Sequence, residues 1–472
     1  MQPKKCGSGL AGKVGSVLAG TCLMLLGLLV CEEPLLADDS LAIATFQADV
    51  TPPLGSPLCD GLVPVADGVD DPLSARGIVL VGSGQPIVLC AVDWVGIGNA
   101  GHDEWRAALA KAAGTTPDRV AVHCLHQHDA PGYDSQAEEM LAQRGLAGKA
   151  YNVAFAHEAI SRTAAAVEEG LKKSRPFTHV GIGKGKVEQV ASNRRVMGAD
   201  GKVKYVRFSS CKDEKIRAEP EGTIDPFCRV AVFYAGDQPL VSLTYYATHP
   251  QSYYGQGNIS CDFPGLARGL REKEIPQCAH VHFNGAGGNI TAGKYNDGSP
   301  PLRGILAERL AKGMKAAWDD AAAHKVAITA NEIGWSEVGV VLPARDILDD
   351  PKLIALLDNK DATERERVRA ARDLAFKRRC ADGHKTSLGC LRLGTARIIH
   401  LPGEIFIEYQ LAAQKLYPRG EVLTAGYGDY GAGYIGTKIS YGEGGYETTF
   451  VSRTAPDVEQ VLMAGLKELL EK

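Results

Sequence analysis

The chain is 472 residues long, 45% hydrophobic and 23% charged, with a formal net charge of −4, so it can bury a large core. That charge, with no interleaving of basic and aromatic residues, excludes a nucleic-acid-binding face. A small-molecule, lipid or glycan substrate is the class that remains.

At the N-terminus, Lys4 and Lys5 precede an apolar run from Val17 to Val30 and a small residue at Ala37. This reads as a signal peptide over 1–37, which predicts export to the periplasm or out of the cell. The run is shorter than the ~20 apolar residues a membrane span needs, so an uncleaved anchor, or lipidation at Cys31, is the weaker alternative. From Leu41 to about Lys325, short apolar runs alternate with helical stretches. "GIVLVG" and "PIVLCAVDW" read as strands, "HDEWRAALAKAAG" as a helix and "RVAVHCLH" as a strand again, the order of a parallel crossover. A second helix is expected from Phe155 to Lys172, strands at "PLVSLTYYATH" and "AHVHFNGAGG", and an amphipathic helix at "RGILAERLAKGMKAAWDDAA". Residues 346–380 turn charged and helical, which reads as a solvated hairpin inserted on the surface. The C-terminal stretch returns to strands and to the Gly-rich "YGDYGAGYIGTKISYGEGGYETT". No internal repeat is visible. Residues 38–472 read as one catalytic domain of mixed α/β class, with partly parallel sheets, flanking helices and a site at the strand carboxyl ends.

Twelve cysteines suit an oxidising compartment. Cys380 with Cys390, and Cys211 with Cys228, are candidate disulfides. No C-x-x-C spacing occurs, which argues against a cysteine zinc ribbon. Cys124 reads as a small core hydrophobe.

The chemistry concentrates in "HCLHQHDAPGYD", from His123 to Asp134. The strand pleat puts Val120, Val122, Cys124 and His126 on one face, with His126 and His128 at the carboxyl end, where α/β sheets bind ligands. His123 faces the other way and is expected to be structural. Other strands end at His249 ("YYATHP"), at the glycines of "GAGGNITAG", which would let backbone approach a ligand closely, and at Glu404 ("LPGE"). A catalytic zinc takes three or four such N and O ligands and keeps a position for water. "GNITAGK" has P-loop spacing, but Tyr295 stands where a Ser or Thr must bind Mg²⁺. Neither G-x-S-x-G nor H-E-x-x-H occurs.

These motifs resemble, in order, those of the neutral/alkaline (non-lysosomal) ceramidases, zinc amidases of ceramide. "LHQHDAPG" resembles their "THTHSGPG", "YYATHP" their second zinc-histidine motif, and "LPGE" their glutamate motif. "GAGGNITAG" is similar to their "G-D-V-S-P-N" loop, "ADVTPPLG" to their "A-D-I-T" segment, "SNRR" to their "N-R-S", and "GYIGT" to an "H-Y-V-x-T" strand. The resemblance runs from about Phe46 to Phe450. It implies Zn²⁺ ligands at His126, His249, Glu404 and Tyr434, a second histidine at His128, an active-site arginine at Arg194, and a further tyrosine at Tyr446, twelve residues beyond Tyr434. The family's catalytic serine falls on Thr291, with Asn289 in place of the aspartate. The C-terminal immunoglobulin-like domain of full-length ceramidases has no counterpart in the sequence.

The resemblance implies metal-assisted hydrolysis of the N-acyl bond of ceramide or a related lipid, with peripheral contact to a membrane. His128 would move the proton, Arg194 and Tyr446 would stabilise the oxyanion, and Thr291 would bind the water or the carbonyl. Two alternatives stay open: the same zinc centre acting on another ester or amide (a sugar or small molecule), or a non-catalytic binding relative.

Overall fold

Apolar β-branched runs split by turns build three sheets, each with a helical crossover. The computed structural model describes residues 41–472; the expected signal peptide, with Cys6, Cys22 and Cys31, lies outside them. Sheet one holds β1 (Ala42–Asp49), β2 (Ser74–Val81), β3 (Ile87–Val92) and, after helix α1 (Asn99–Ala113), β4 (Val120–Cys124). Helix α2 (Val153–Leu171) follows. Sheet two holds β5 (His179–Lys186), β6 (Phe227–Ala235), β7 (Gln238–Tyr246) and, after α3 (Asp262–Glu274), β8 (Ala279–Asn284). Next comes the long α4 (Pro301–Ala323). Sheet three holds β9 (Ile333–Val340), then, after α5 (Glu364–Ala381), β10 (Thr386–Leu393), β11 (Ala396–His400) and, after α6 (Ile407–Leu416), β12 (Val422–Ala425). Helix α7 (Val458–Glu471) ends the chain.

The three sheets share one topology. In each, three successive strands pair antiparallel and a fourth joins the third in parallel; in sheets one and two a two-residue strand, Arg175–Pro176 or Val326–Ala327, adds antiparallel to the first. A helix supplies each parallel crossover, as a parallel connection requires. The expected strand–helix–strand reading of β3, α1 and β4 holds, and so does the mixed, partly parallel α/β class. At the level of topology one unit recurs three times, three antiparallel strands followed by a helix and a parallel strand, with α5 inserted after the first strand in sheet three. The repeat escapes sequence comparison because only its hydrophobic pattern recurs.

The inner faces of all three sheets meet in one apolar cluster, with Ile78 and Leu89 from sheet one, Phe233 and Leu243 from sheet two, and Leu391 and Ile398 from sheet three. Helices α1 and α2 cover the outer face of sheet one, burying Trp105, Leu109 and Phe155. Helices α4, α6 and α7 contribute to a larger cluster with Leu306, Ile407 and Leu462. Converging sheets bring their third- and fourth-strand carboxyl ends together.

Two expectations change. The charged segment is a helical pair, Asp350–Asp358 with α5, but α5 is no solvated element. Its Val368, Ala371, Leu374 and Ala375 are buried because they form a stripe at helical spacing. Neither expected disulfide forms. All nine cysteines among the described residues are free thiols, and Cys390 is buried inside β10, paired across to Ser336 and Ile399.

Candidate metal centre and cavity

The chain beyond β4 hooks onto the chain beyond β3. The amide of Leu125 donates to Val92 and that of His126 to Trp94, at 2.8 and 2.9 Å. His126 sits at φ 71°, a left-handed conformation that a non-glycine residue adopts at a cost. The turn aims its ring back, and Nδ1 donates to the Val95 carbonyl at 2.5 Å. A carbonyl only accepts, so Nδ1 carries a proton, and in the neutral ring Nε2 presents a lone pair. His123 goes the other way, as expected. Its Nδ1 donates to Gly426 O at 2.7 Å, its Nε2 accepts from His400 at 3.0 Å, and burial pushes its pKa down to about 3.

His249 follows β7 and Glu404 follows β11, and both are buried. Glu404–Ile405 pairs in parallel with Tyr434–Ile435, which sets Glu404 directly beside Tyr434. His126 Nε2 lies 3.2 Å and His249 Nε2 3.9 Å from Glu404 Oε2. Neither His126 Nε2 nor Glu404 Oε2 has a hydrogen-bond partner. Burial alone would raise the Glu404 pKa, but positive charge on His126, then Arg194 and Tyr434, outweigh it and hold the carboxyl below its usual range. An imidazole lone pair and a carboxylate this close, out of water, repel unless a cation, a proton or a metal ion, lies between them. Ligand atoms ~2.0 Å from a tetrahedral zinc stand ~3.3 Å apart, close to the spacing found. These residues therefore fit a bound metal ion. His126, His128 and His249 also form a group in which one ring nitrogen from each lies within 4.8 Å of the other two. The two donor sets share His126 and His249.

Burial, then neighbouring charges, holds His128 and His249 far below the usual imidazole range, so both offer neutral lone pairs. The Tyr434 ring stacks parallel to that of His249, 6.3 Å between centroids. Its hydroxyl accepts from Arg194 Nη1 at 2.8 Å, and burial, stronger than the pull of Arg194, raises its pKa. Arg194 is buried across the Tyr434 and Tyr446 rings, 5.5 and 5.8 Å from their centroids, with Glu447 at 3.7 Å from its Nε. Burial pushes the Tyr446 phenol up to about 12. The structure thus brings His126, His128, His249, Glu404, Tyr434, Arg194 and Tyr446 to one place.

Thr291 stands apart. It is wholly buried and does not line the cavity. It pairs with Ser192, and its hydroxyl accepts from the Gly293 amide at 3.1 Å, with no base in contact. The glycines before it serve packing rather than ligand approach. A Cβ on Gly288 would collide with the Glu404 carbonyl, and one on Gly287 with that of Thr248.

A cavity of about 570 Å³ opens onto His128, His249, Glu404, Tyr434, Arg194 and Tyr446, a size suited to a small-molecule site. Phe208, Tyr254 and Phe450 line it while remaining 51%, 40% and 53% exposed. Sequence reasoning missed several participants. The Tyr430 hydroxyl donates to Glu404 Oε1 at 3.0 Å, and the Tyr427 ring stacks on His126 at 4.4 Å. Both lie in the Gly-rich "YGDYGAGY", whose density of tyrosines was the available signal. Arg372 and Arg453 also reach the cavity. They come from α5 and from the segment before α7, and only the folded chain brings them together.

A three-sheet α/β scaffold with a histidine- and carboxylate-lined cavity at its strand ends is the class these features define. Two solved structures share the fold. One is a ceramidase complexed with C2, with TM-score 0.67 and 16% identity, covering 92% of this chain and 75% of its own. The other is the neutral ceramidase from Pseudomonas aeruginosa, with TM-score 0.66 and 17% identity, covering 92% and 75%. No protein-family model matches the sequence, and no curated protein does. Among the described residues no helix is long and apolar enough to cross a membrane.

Proposed function

We propose that this chain is an exported, zinc-dependent amidohydrolase that cleaves the N-acyl linkage of a lipid amide, with His126, His249, Glu404 and Tyr434 as the metal ligands. The observation that carries the reading is the buried, unpartnered pair His126 Nε2 and Glu404 Oε2, 3.2 Å apart. When bound, the ion lowers the pKa of a water toward ~7 and polarises the scissile carbonyl. The Val95 carbonyl fixes the His126 tautomer and Tyr430 steadies the second Glu404 oxygen, support that keeps ligand geometry uniform. His128, held neutral, accepts the proton of the attacking water and returns it to the departing amine. Arg194, locked against Tyr434 and Glu447, and the Tyr446 hydroxyl donate to the oxygen that gains charge, which is worth about 3 kcal/mol per donor in comparable sites. Thr291 acts at one remove, holding the Ile290–Thr291 strand against Ser192.

The shared fold and the exposed aromatic rim support a lipid amide over a small polar substrate, because the rim gives an alkyl chain and a membrane surface something apolar to meet. The test is release of fatty acid from an N-acyl amide by the protein as isolated, after chelation, and after zinc is returned. Activity lost on chelation and restored by zinc supports the reading. Activity untouched by complete chelation rejects it.

A further inference from the structure

The cavity is lined by five arginines, Arg194, Arg365, Arg369, Arg372 and Arg453, against two carboxylates, Asp60 and Glu404. Three of the five are paired. Arg194 has Glu447, Arg372 has Asp60 at 2.9 Å, and Arg453 has Asp373 at 2.7 Å. The other two, on the first turns of α5, form no ion pair among the described residues. Arg365 spends one nitrogen on the Leu62 carbonyl at 2.6 Å. Arg369 makes no hydrogen bond and sits over the exposed Phe450 ring, 4.7 Å from its centroid. The acids on the same helix are committed elsewhere: Glu366 caps it through the Thr363 amide and hydroxyl, Glu364 pairs with Lys149 and Asp373 with Arg453.

Two guanidinium groups one helical turn apart at a cavity mouth make a fork for a carboxylate or phosphate. A neutral lipid amide would leave both unmatched. We propose that Arg365 and Arg369 receive an anionic group, carboxylate or phosphate, on the outer part of the N-acylated substrate. The charged helix is then the element that sets specificity. This inference rests on the amidase reading for its chemistry, and on the arginine geometry alone for its anion.

The test uses three ligands with one acyl chain: N-dodecanoylglycine, N-dodecanoyl-phosphoethanolamine and neutral N-dodecanoylethanolamine. Equilibrium binding and dodecanoate release are measured for wild type, Arg365→Ala, Arg369→Ala and Arg369→Lys. Wild type is expected to favour an anionic ligand over the neutral one by about tenfold or more, the scale of one charge-assisted hydrogen bond. The preference should shrink as salt is raised. Arg369→Ala should lower the anionic-to-neutral ratio about tenfold, Arg365→Ala should lower it less, and Arg369→Lys should keep most of it. The better of the two anions names the group. Equal affinity for neutral and anionic ligands, an anion preference that survives both alanine variants, or no binding of any of the three overturns the proposal. Anion-selective binding without amide cleavage leaves it standing and removes the amidase reading instead.

Discussion

Glu404→Gln separates the two donor sets that share His126 and His249. Zinc at 1,000-fold above its dissociation constant stabilises the folded chain by about 4 kcal/mol. Unfolding 472 residues carries an entropy of about 1 kcal/mol per kelvin, so chelated wild type should gain about 4 °C in melting temperature when zinc is returned. The substitution keeps the size of the side chain but takes the charge from the oxygen 3.2 and 3.9 Å from the two imidazole nitrogens. Losing a ligand should cost more than the 10- to 100-fold affinity lost with outer-shell partners. The zinc-induced gain should therefore fall to about 1 °C, read by thermal denaturation with and without zinc. If Glu404→Gln keeps the full wild-type gain, Glu404 is not a ligand and His126, His128 and His249 hold the ion. If wild type itself gains nothing, the unpartnered pair does not mark a metal site.

Other substitutions test the remaining parts. Arg194→Lys replaces a fork locked between Tyr434 and Glu447 by a mobile point charge, and should lower kcat by about 100-fold with little change in KM. A loss below about threefold would remove Arg194 from the reaction. Thr291→Val removes only an acceptor for the Gly293 amide, so it should cost about 1 kcal/mol of stability and leave kcat within severalfold of wild type. A collapse of kcat with zinc retained would restore Thr291 to a catalytic part. Arg268 makes two 2.8 Å bonds to the buried carboxylate of Asp93, which also accepts from the amide and hydroxyl of Ser74 at the start of β2. Arg268→Ala should destabilise the fold by about 3–5 kcal/mol in denaturant titration, and a loss under about 1 kcal/mol would contradict that account.

Much of the scaffold could be read from apolar runs and their order, because β3 and β4 are short runs buried along their whole length and α1 between them has helical spacing. The site was legible wherever a residue ends a strand, as His126, His249 and Glu404 do, since strand ends are where converging sheets meet. Tyr434 and Tyr446 came through the resemblance, and their placement beside Glu404 and Arg194 depends on a two-residue ladder too short to show in a sequence. The charged helix was misjudged because its charges are numerous and its buried stripe is made largely of alanine. The expected disulfides failed because spacing along the chain says nothing about direction, and Cys390 points into the core from mid-strand. Tyr430 and the Val95 carbonyl act on ligands from distant segments, and a backbone carbonyl leaves no signature in side-chain patterns.

The central claim is a metal ion held by residues from all three sheets. Elemental analysis of purified wild type and His249→Ala, each checked for intact fold by circular dichroism, tests it most directly. The account predicts about one zinc per wild-type chain, as expected of a single closed ligand set, and little or none in the folded variant. No zinc in wild type, even after incubation with excess, or equal zinc in both proteins, would contradict it.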